Sequence, residues 1–109
     1  MANGILGNAS LILDTDTTLY NIDVADAKFT VFTVNLVNRD NATPALVRIA
    51  VSDTATPGNS EFIEYDTELL PSAVLERSGL IMQTGKYLIV RSNTSTVTAT
   101  AYGIETATA

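Results

Sequence analysis

Polar and apolar side chains alternate with a period of two along most of this chain. In LVRIAVS, from Leu46, the residues Val47, Ile49 and Val51 fall on one face and Arg48, Ala50 and Ser52 on the other, the pattern of a half-buried strand. KFTVFTVNLVN alternates Phe32, Val34 and Leu36 with Thr33, Asn35 and Val37. Phe29 and Val31 give its first half the opposite phase, which predicts a twist or bulge near Val31. NRDNATPA, Asn38 to Ala45, separates the two runs with turn formers closed by Pro44, so it is a hairpin connection or a longer crossover between sheets.

The same signal recurs at short intervals. EFIEYDTEL sets Phe62, Glu64 and Asp66 against Ile63, Tyr65 and Thr67. AVLER and LIMQ read as short strands on either side of Ser78-Gly79, and KYLIVRS follows as the next strand. LERSGLIMQTGKYLIV, Leu75 to Val90, thus reads as scaffold in which the Ser78-Gly79 and Thr84-Gly85 turns fix the register of adjacent strands. STVTATAYGIE alternates Thr96, Thr98 and Thr100 with Val97, Ala99 and Ala101, whose small inner side chains predict a close neighbour. ASLILD and TTLYNID read as a first pair of strands around an Asp14-Thr15-Asp16 turn.

No useful window repeats at the helical period, and at most a single helical turn is expected in VADAK or PGNSEF. Short strands bounded by regular turn signals predict an all-β fold, an antiparallel β-sandwich of about eight strands with Ig-like or jelly-roll-like Greek-key connections. The length of 109 residues suits one domain over 1–109. Residues 1–8 are expected as an N-terminal arm, and the Thr/Ala-rich end, 104–109, as a fraying tail.

Composition narrows the chemistry. The chain has no Cys and no His, which removes disulfides, thiolate metal sites, the cysteine nucleophile and the commonest general base. The expectation is a protein that is not an enzyme and holds no cofactor. A net charge of −6, with scattered Lys and Arg, opposes binding to a phosphate backbone, so nucleic acid is not an expected partner. The opening MANGILGNASLILD carries no basic leader and no apolar run of membrane-spanning length, so synthesis in the cytoplasm without a membrane partner is expected.

Each cluster that could carry chemistry has a plainer explanation. Asp14, Asp16 and Asp23 could ligate calcium, but the group lacks the glycine and the terminal Glu of an EF-hand loop, and Asp/Thr clusters are ordinary turn chemistry. No metal site is assigned. Glu64 and Asp66 share a strand face, a poor geometry for flanking a glycosidic bond, and are expected instead to contact Arg48, Arg77 or Arg91. No catalytic residue is assigned. Tyr20, Tyr65, Tyr87 and Tyr102 lie on four strands, without the exposed Trp row of a glycan platform. The sequons at Asn8, Asn41 and Asn93 come without a secretion signal.

From Tyr65 onward, order and spacing become more distinctive than the single motifs. The succession is Ile63 to Asp66, Leu70-Pro71, Leu75-Glu76, Gly79-Leu80, Gly85, Leu88 to Val90 and Gly103 to Glu105. It resembles small virion structural proteins of tailed bacteriophages, including cyanophage types, and MANGILG, TTLYNI, VNLVNRDN and VRIAV fit the same pattern. NIDVADAK departs from it where a Pro-containing turn is expected. The resemblance implies a non-enzymatic capsid decoration or cement protein on the outer surface of the virion, bound to the phage major capsid protein, with self-association, for instance as a trimer. A tail- or fibre-associated receptor or glycan-binding module is the alternative. The candidate capsid-contact segment is Asn3, Gly4, Ile5, Leu6 and Gly7, and deleting Ala2 to Gly7 is expected to weaken attachment with the fold intact.

Overall fold

A computed structural model describes residues 3–108. Among them run eight strands: β1 (Asn3–Ser10), β2 (Thr17–Asn21), β3 (Lys28–Asn38), β4 (Ala45–Ser52), β5 (Phe62–Leu69), β6 (Val74–Gln83), β7 (Tyr87–Ser92) and β8 (Val97–Ala107). The single helical turn among the described residues is 3₁₀, Asn59–Glu61, inside PGNSEF. VADAK is a turn instead, with Asp23 Oδ1 accepting from the Ala25 N–H at 2.9 Å.

The strands form two four-stranded sheets, β1-β8-β3-β6 and β2-β7-β4-β5, with every neighbouring pair antiparallel. Only β4 and β5 are both consecutive and adjacent in one sheet; each other link between successive strands crosses to the opposite sheet. This double Greek-key order is that of a jelly roll, which resolves the two connection patterns left open by the sequence. The Asn38-to-Ala45 segment is accordingly a crossover. β1 and β2 fall in different sheets and form no hairpin, and the Thr84-Gly85 turn likewise carries the chain between sheets.

One core joins the sheets. Phe32, Val34 and Leu36 from β3 and Ala99 and Ala101 from β8 meet Val47, Ile49, Leu88 and Val90 from the second sheet. Each large side chain buried in this way contributes roughly 1.5–3 kcal/mol. The alanines of β8 are the small inner residues anticipated from STVTATAYGIE. Asn38 ties the end of this core to the loops: its Nδ2 donates to the carbonyls of Thr43 at 3.0 Å and Leu69 at 3.1 Å, while Oδ1 accepts from Asp40 N–H and the Thr96 hydroxyl.

Three expectations are corrected by the pairing. From Asn3 on, the expected N-terminal arm is strand β1, matched along β8 from Asn3↔Ile104 to Ser10↔Thr98; Met1 and Ala2 lie outside the described residues. The expected fraying tail is strand as far as Ala107, because Lys28↔Ala107 and Phe29↔Thr106 continue the β3 ladder to its end. Ala109 lies outside the described residues. AVLER and LIMQ form one strand, β6, in which Ser78-Gly79 is a bulge: Phe32 opposes Leu80 but Val34 opposes Arg77. Gly79 takes φ 71°, a conformation that favours glycine.

The phase of β3 does not change near Val31. The irregularity lies on the partner strand, and β3 itself keeps one phase, with Thr30, Phe32, Val34, Leu36 and Asn38 all buried. Thr30 sits inside because its hydroxyl donates to Glu105 Oε2 at 3.2 Å, while Lys28 Nζ reaches Oε1 of the same buried carboxylate at 3.3 Å. Val31 therefore points outward and is 42% exposed.

Candidate interaction surface

The outward positions of the β1-β8-β3-β6 sheet form a surface that is apolar at one end and hydroxyl-rich at the other. Register places Ile104, Val31 and Ile81 side by side across β8, β3 and β6, with Ile5 beside Tyr102 one row away. Ile5, Ile81 and Ile104 are each more than 60% exposed, with relative exposures of 61%, 64% and 62%. Further along, Asn8, Thr100, Asn35, Ser10, Thr98 and Val37 continue the face. Among the described strand residues of this face, the charged side chain is Glu76, whose carboxylate accepts from the Tyr102 hydroxyl at 3.2 Å. Burial and the nearby Glu76 charge raise the Tyr102 pKa, so it stays a neutral donor. Arg39, just beyond β3, closes one end by donating to Ser10 Oγ at 3.0 Å.

Between the two apolar rows lies an open groove of about 410 Å³, lined by residues including Gly4, Val31, Gly79, Tyr102, Gly103 and Ile104. Gly4 and Gly79 leave open space where a Cβ would stand. Gly103 has a different reason to be glycine: a Cβ there would lie 2.1 Å from the Val31 carbonyl oxygen and 2.7 Å from Phe32 Cα. Close approach of β8 to β3 thus fixes the floor beneath the exposed isoleucines.

The candidate segment Asn3 to Gly7 is divided by this geometry. Gly4 lines the groove and Ile5 stands on the apolar face. Leu6 is the extra residue of a bulge, since Ile5 opposes Tyr102 and Gly7 opposes Ala101, and it packs against the core. Gly7 abuts β2, where a Cβ would lie 2.1 Å from the Leu19 carbonyl oxygen. Asn3 pairs with Ile104 at the start of the strand. Deleting Ala2 to Gly7 would therefore remove most of β1 and expose core, contrary to the expectation of an intact fold. The exposed apolar row itself was missed by reading every apolar alternation as an inner face.

The outer face of β2-β7-β4-β5 has a different chemistry. Arg48 donates through Nε to Asp66 Oδ1 at 2.7 Å, and its guanidinium lies 4.1 Å from the centroid of the Tyr65 ring. Asp66 adopts φ 50° at a β5 irregularity, between the Val47↔Thr67 and Ile49↔Glu64 pairs, which aims its carboxylate at Arg48. The Arg48 hydrogen bond lowers its pKa. Arg91 pairs with Asp16 at 3.4 Å. Glu64 instead reaches across to Arg77 on β6, joining edge strands of the two sheets. The Thr67 hydroxyl, donating at 2.6 Å, and then Arg77 hold the Glu64 carboxyl below its ordinary pKa. Contacts to Arg48 and Arg77 were anticipated, and the two acids serve separate ion pairs.

The remaining candidates stay apart. Among the described residues no three carboxylate, His or Cys side chains converge as a metal site. Tyr20, Tyr65 and Tyr87 belong to the second sheet and Tyr102 to the first, so the four tyrosines share no single platform. Of the sequon residues, Asn8 is exposed on β1, Asn41 lies in the β3–β4 crossover, and Asn93 Oδ1 accepts from Leu46 N–H at 2.8 Å. Among the described residues no helix is long and apolar enough to cross a membrane.

Together these features define a jelly-roll protein with one broad, almost uncharged outer face and one face patterned with ion pairs. No family model matches the sequence. No curated protein matches it either. Among solved structures, the chain is similar to a pentameric capsid protein isolated from metagenomic phage sequences, with 24% identity and a TM-score of 0.51 over 94% of this chain. A second crystal structure of a pentameric capsid protein from metagenomic phage sequences, solved by iodide phasing, aligns with 22% identity and a TM-score of 0.45 over 94% of this chain. The chain spans 62% and 63% of the lengths of those two proteins. The first likeness is one of fold, and it agrees with the sandwich derived from the strand order.

Proposed function

We propose that this chain is a non-enzymatic structural protein of a phage particle, a decoration or cement protein on the outer capsid surface that works by packing against protein neighbours, with the major capsid protein as a partner. The observation that carries this reading is the wide outer face of the β1-β8-β3-β6 sheet, where Ile5, Val31, Ile81 and Ile104 are exposed together among Thr and Asn side chains. Contiguous exposed apolar surface rimmed by uncharged polar groups is characteristic of protein contact sites. A jelly roll is one of the architectures on which capsid domains are built, and the fold shared with a phage capsid protein supports that context. Binding the assembled shell in preference to its separate parts would stabilise the shell by mass action.

Immunogold electron microscopy of purified source particles, with antibody raised against this chain, tests the assignment. Dense label over the head is the expected result. Label confined to the tail would replace decoration by the tail- or fibre-associated receptor module, and particles without label would overturn the virion reading.

A further inference from the structure

The nearly uncharged face calls for an occupant, and its size and charge both bear on which one. Four strands of eight to eleven residues make up the sheet. At about 4.8 Å between strands and about 3.4 Å per residue, the face covers roughly 600 Å². Two such surfaces in contact bury roughly 1,200 Å², the lower bound of a specific protein interface. The apolar rows alone are too small for this, so the Thr/Asn end must be covered as well. Its short side chains have little conformational entropy to lose on being covered.

Charge then selects the partner. The chain carries a net charge of −6, so two copies approaching through most of their surfaces bring carboxylates together. On this face the strand charge is Glu76, already engaged by the Tyr102 hydroxyl, with Arg39 at the rim. Self-association here avoids the electrostatic cost that other surfaces impose. The groove between the Ile104-Val31-Ile81 row and the Ile5-Tyr102 row supplies a recess for an apolar side chain of the incoming surface.

We propose that a second copy of this chain packs on the outer face of the β1-β8-β3-β6 sheet, with Ile81, Val31 and Ile104 forming the apolar part of the contact. The inference rests on the reading of this face as a protein-contact surface and names its partner. Contacts to the capsid shell then fall on other surfaces of the oligomer.

Sedimentation velocity over a wide concentration range, on the full chain and its Ile81→Lys and Ile104→Lys variants, tests it. The wild type is expected to sediment as an oligomer. Each lysine variant should weaken self-association by about tenfold or more, because an unpaired charge replaces an apolar side chain within the contact. Ile81→Thr should retain more association than Ile81→Lys, and circular dichroism should show the native fold in all three variants, because Ile81 and Ile104 are exposed.

An oligomer indifferent to both lysines overturns the proposed face. A monomeric wild type overturns the second-copy proposal, and occupancy on source particles then separates the remaining outcomes. If Ile81→Lys loses occupancy, the face contacts another particle protein and the contact-surface reading stands. If Ile81→Lys occupies particles as fully as wild type, that reading fails too.

Discussion

The two outer faces of this sandwich follow from the same alternating pattern and end with opposite chemistry. On β1-β8-β3-β6, outward positions carry Ile, Val, Tyr, Thr and Asn, and Glu76 is the charged strand residue among those described. On β2-β7-β4-β5, outward Arg48 and Arg91 meet Asp66 and Asp16, and Tyr65 lies under the Arg48 guanidinium. Ion pairs of the second kind are hydrated and add little stability, but they keep a surface soluble and discourage nonspecific apolar contact. The first face has no such protection. A period-two pattern places side chains on faces, and the chemistry of each face decides whether it meets water or protein.

Gly103→Ala should break the comparison most severely. The new methyl group meets backbone of Val31 and Phe32, so β8 must move away from β3 and the apolar rows lose alignment. We expect a loss of about 3 kcal/mol, at the upper end of ordinary overpacking, read as a lower denaturant midpoint with native-like content of strand. An unchanged midpoint would show that the tight strand contact is not required.

Lys28→Met comes next. It removes the ammonium from the buried Glu105 carboxylate while Thr30 still donates, and Lys28 is itself partly exposed. A loss of about 2 kcal/mol is expected, below the usual range for a fully buried pair broken on one side. Thermal and denaturant unfolding at neutral pH check it.

The smallest effect concerns the ion pairs. Because the folded state lowers the Glu64 pKa, its stabilising contribution is fully present above the unfolded value of about 4.3 and is lost as pH falls through the lower folded value. Glu64→Gln should therefore flatten the acid side of a plot of unfolding free energy against pH, and the difference from wild type should shrink below about pH 4. Equal slopes for the two proteins would remove Glu64 from the account.

Much of the fold could be read from the sequence because strand alternation is local. The inner residues of β3 from Phe32 onward and the small residues of β8 followed from short segments, and of the two places that allowed a helical turn, VADAK and PGNSEF, the second holds it. The jelly-roll order could not, since β1 pairs with β8 across almost the entire chain and no local signal encodes that partner. Bulges were the second source of error. Ser78-Gly79 looked like a turn between two strands, although a left-handed glycine inside one strand has the same local signature.

The candidate surface was legible only in part. Ile5 and Gly4 were singled out, but Val31, Ile81 and Ile104 looked like core because a hydrophobic residue carries no mark of which side of a sheet is covered. The clue lay in their inward neighbours. Thr30 and Glu105 occupy inner positions, and such polar residues enter a core when they have each other, and here Lys28, as partners.

The absence of cysteine from the sequence allows the two faces to be compared directly in the assembled state. Ile81→Cys on one face and Glu68→Cys on the other would each place a single exposed thiol, to be labelled with a maleimide in source particles and again after dissociation. The account predicts that Ile81→Cys is protected in the particle and reacts only once the released protein is diluted until its oligomer separates, while Glu68→Cys reacts readily throughout. Equal labelling of the two positions in intact particles would contradict the claim that the nearly uncharged face is the contact surface.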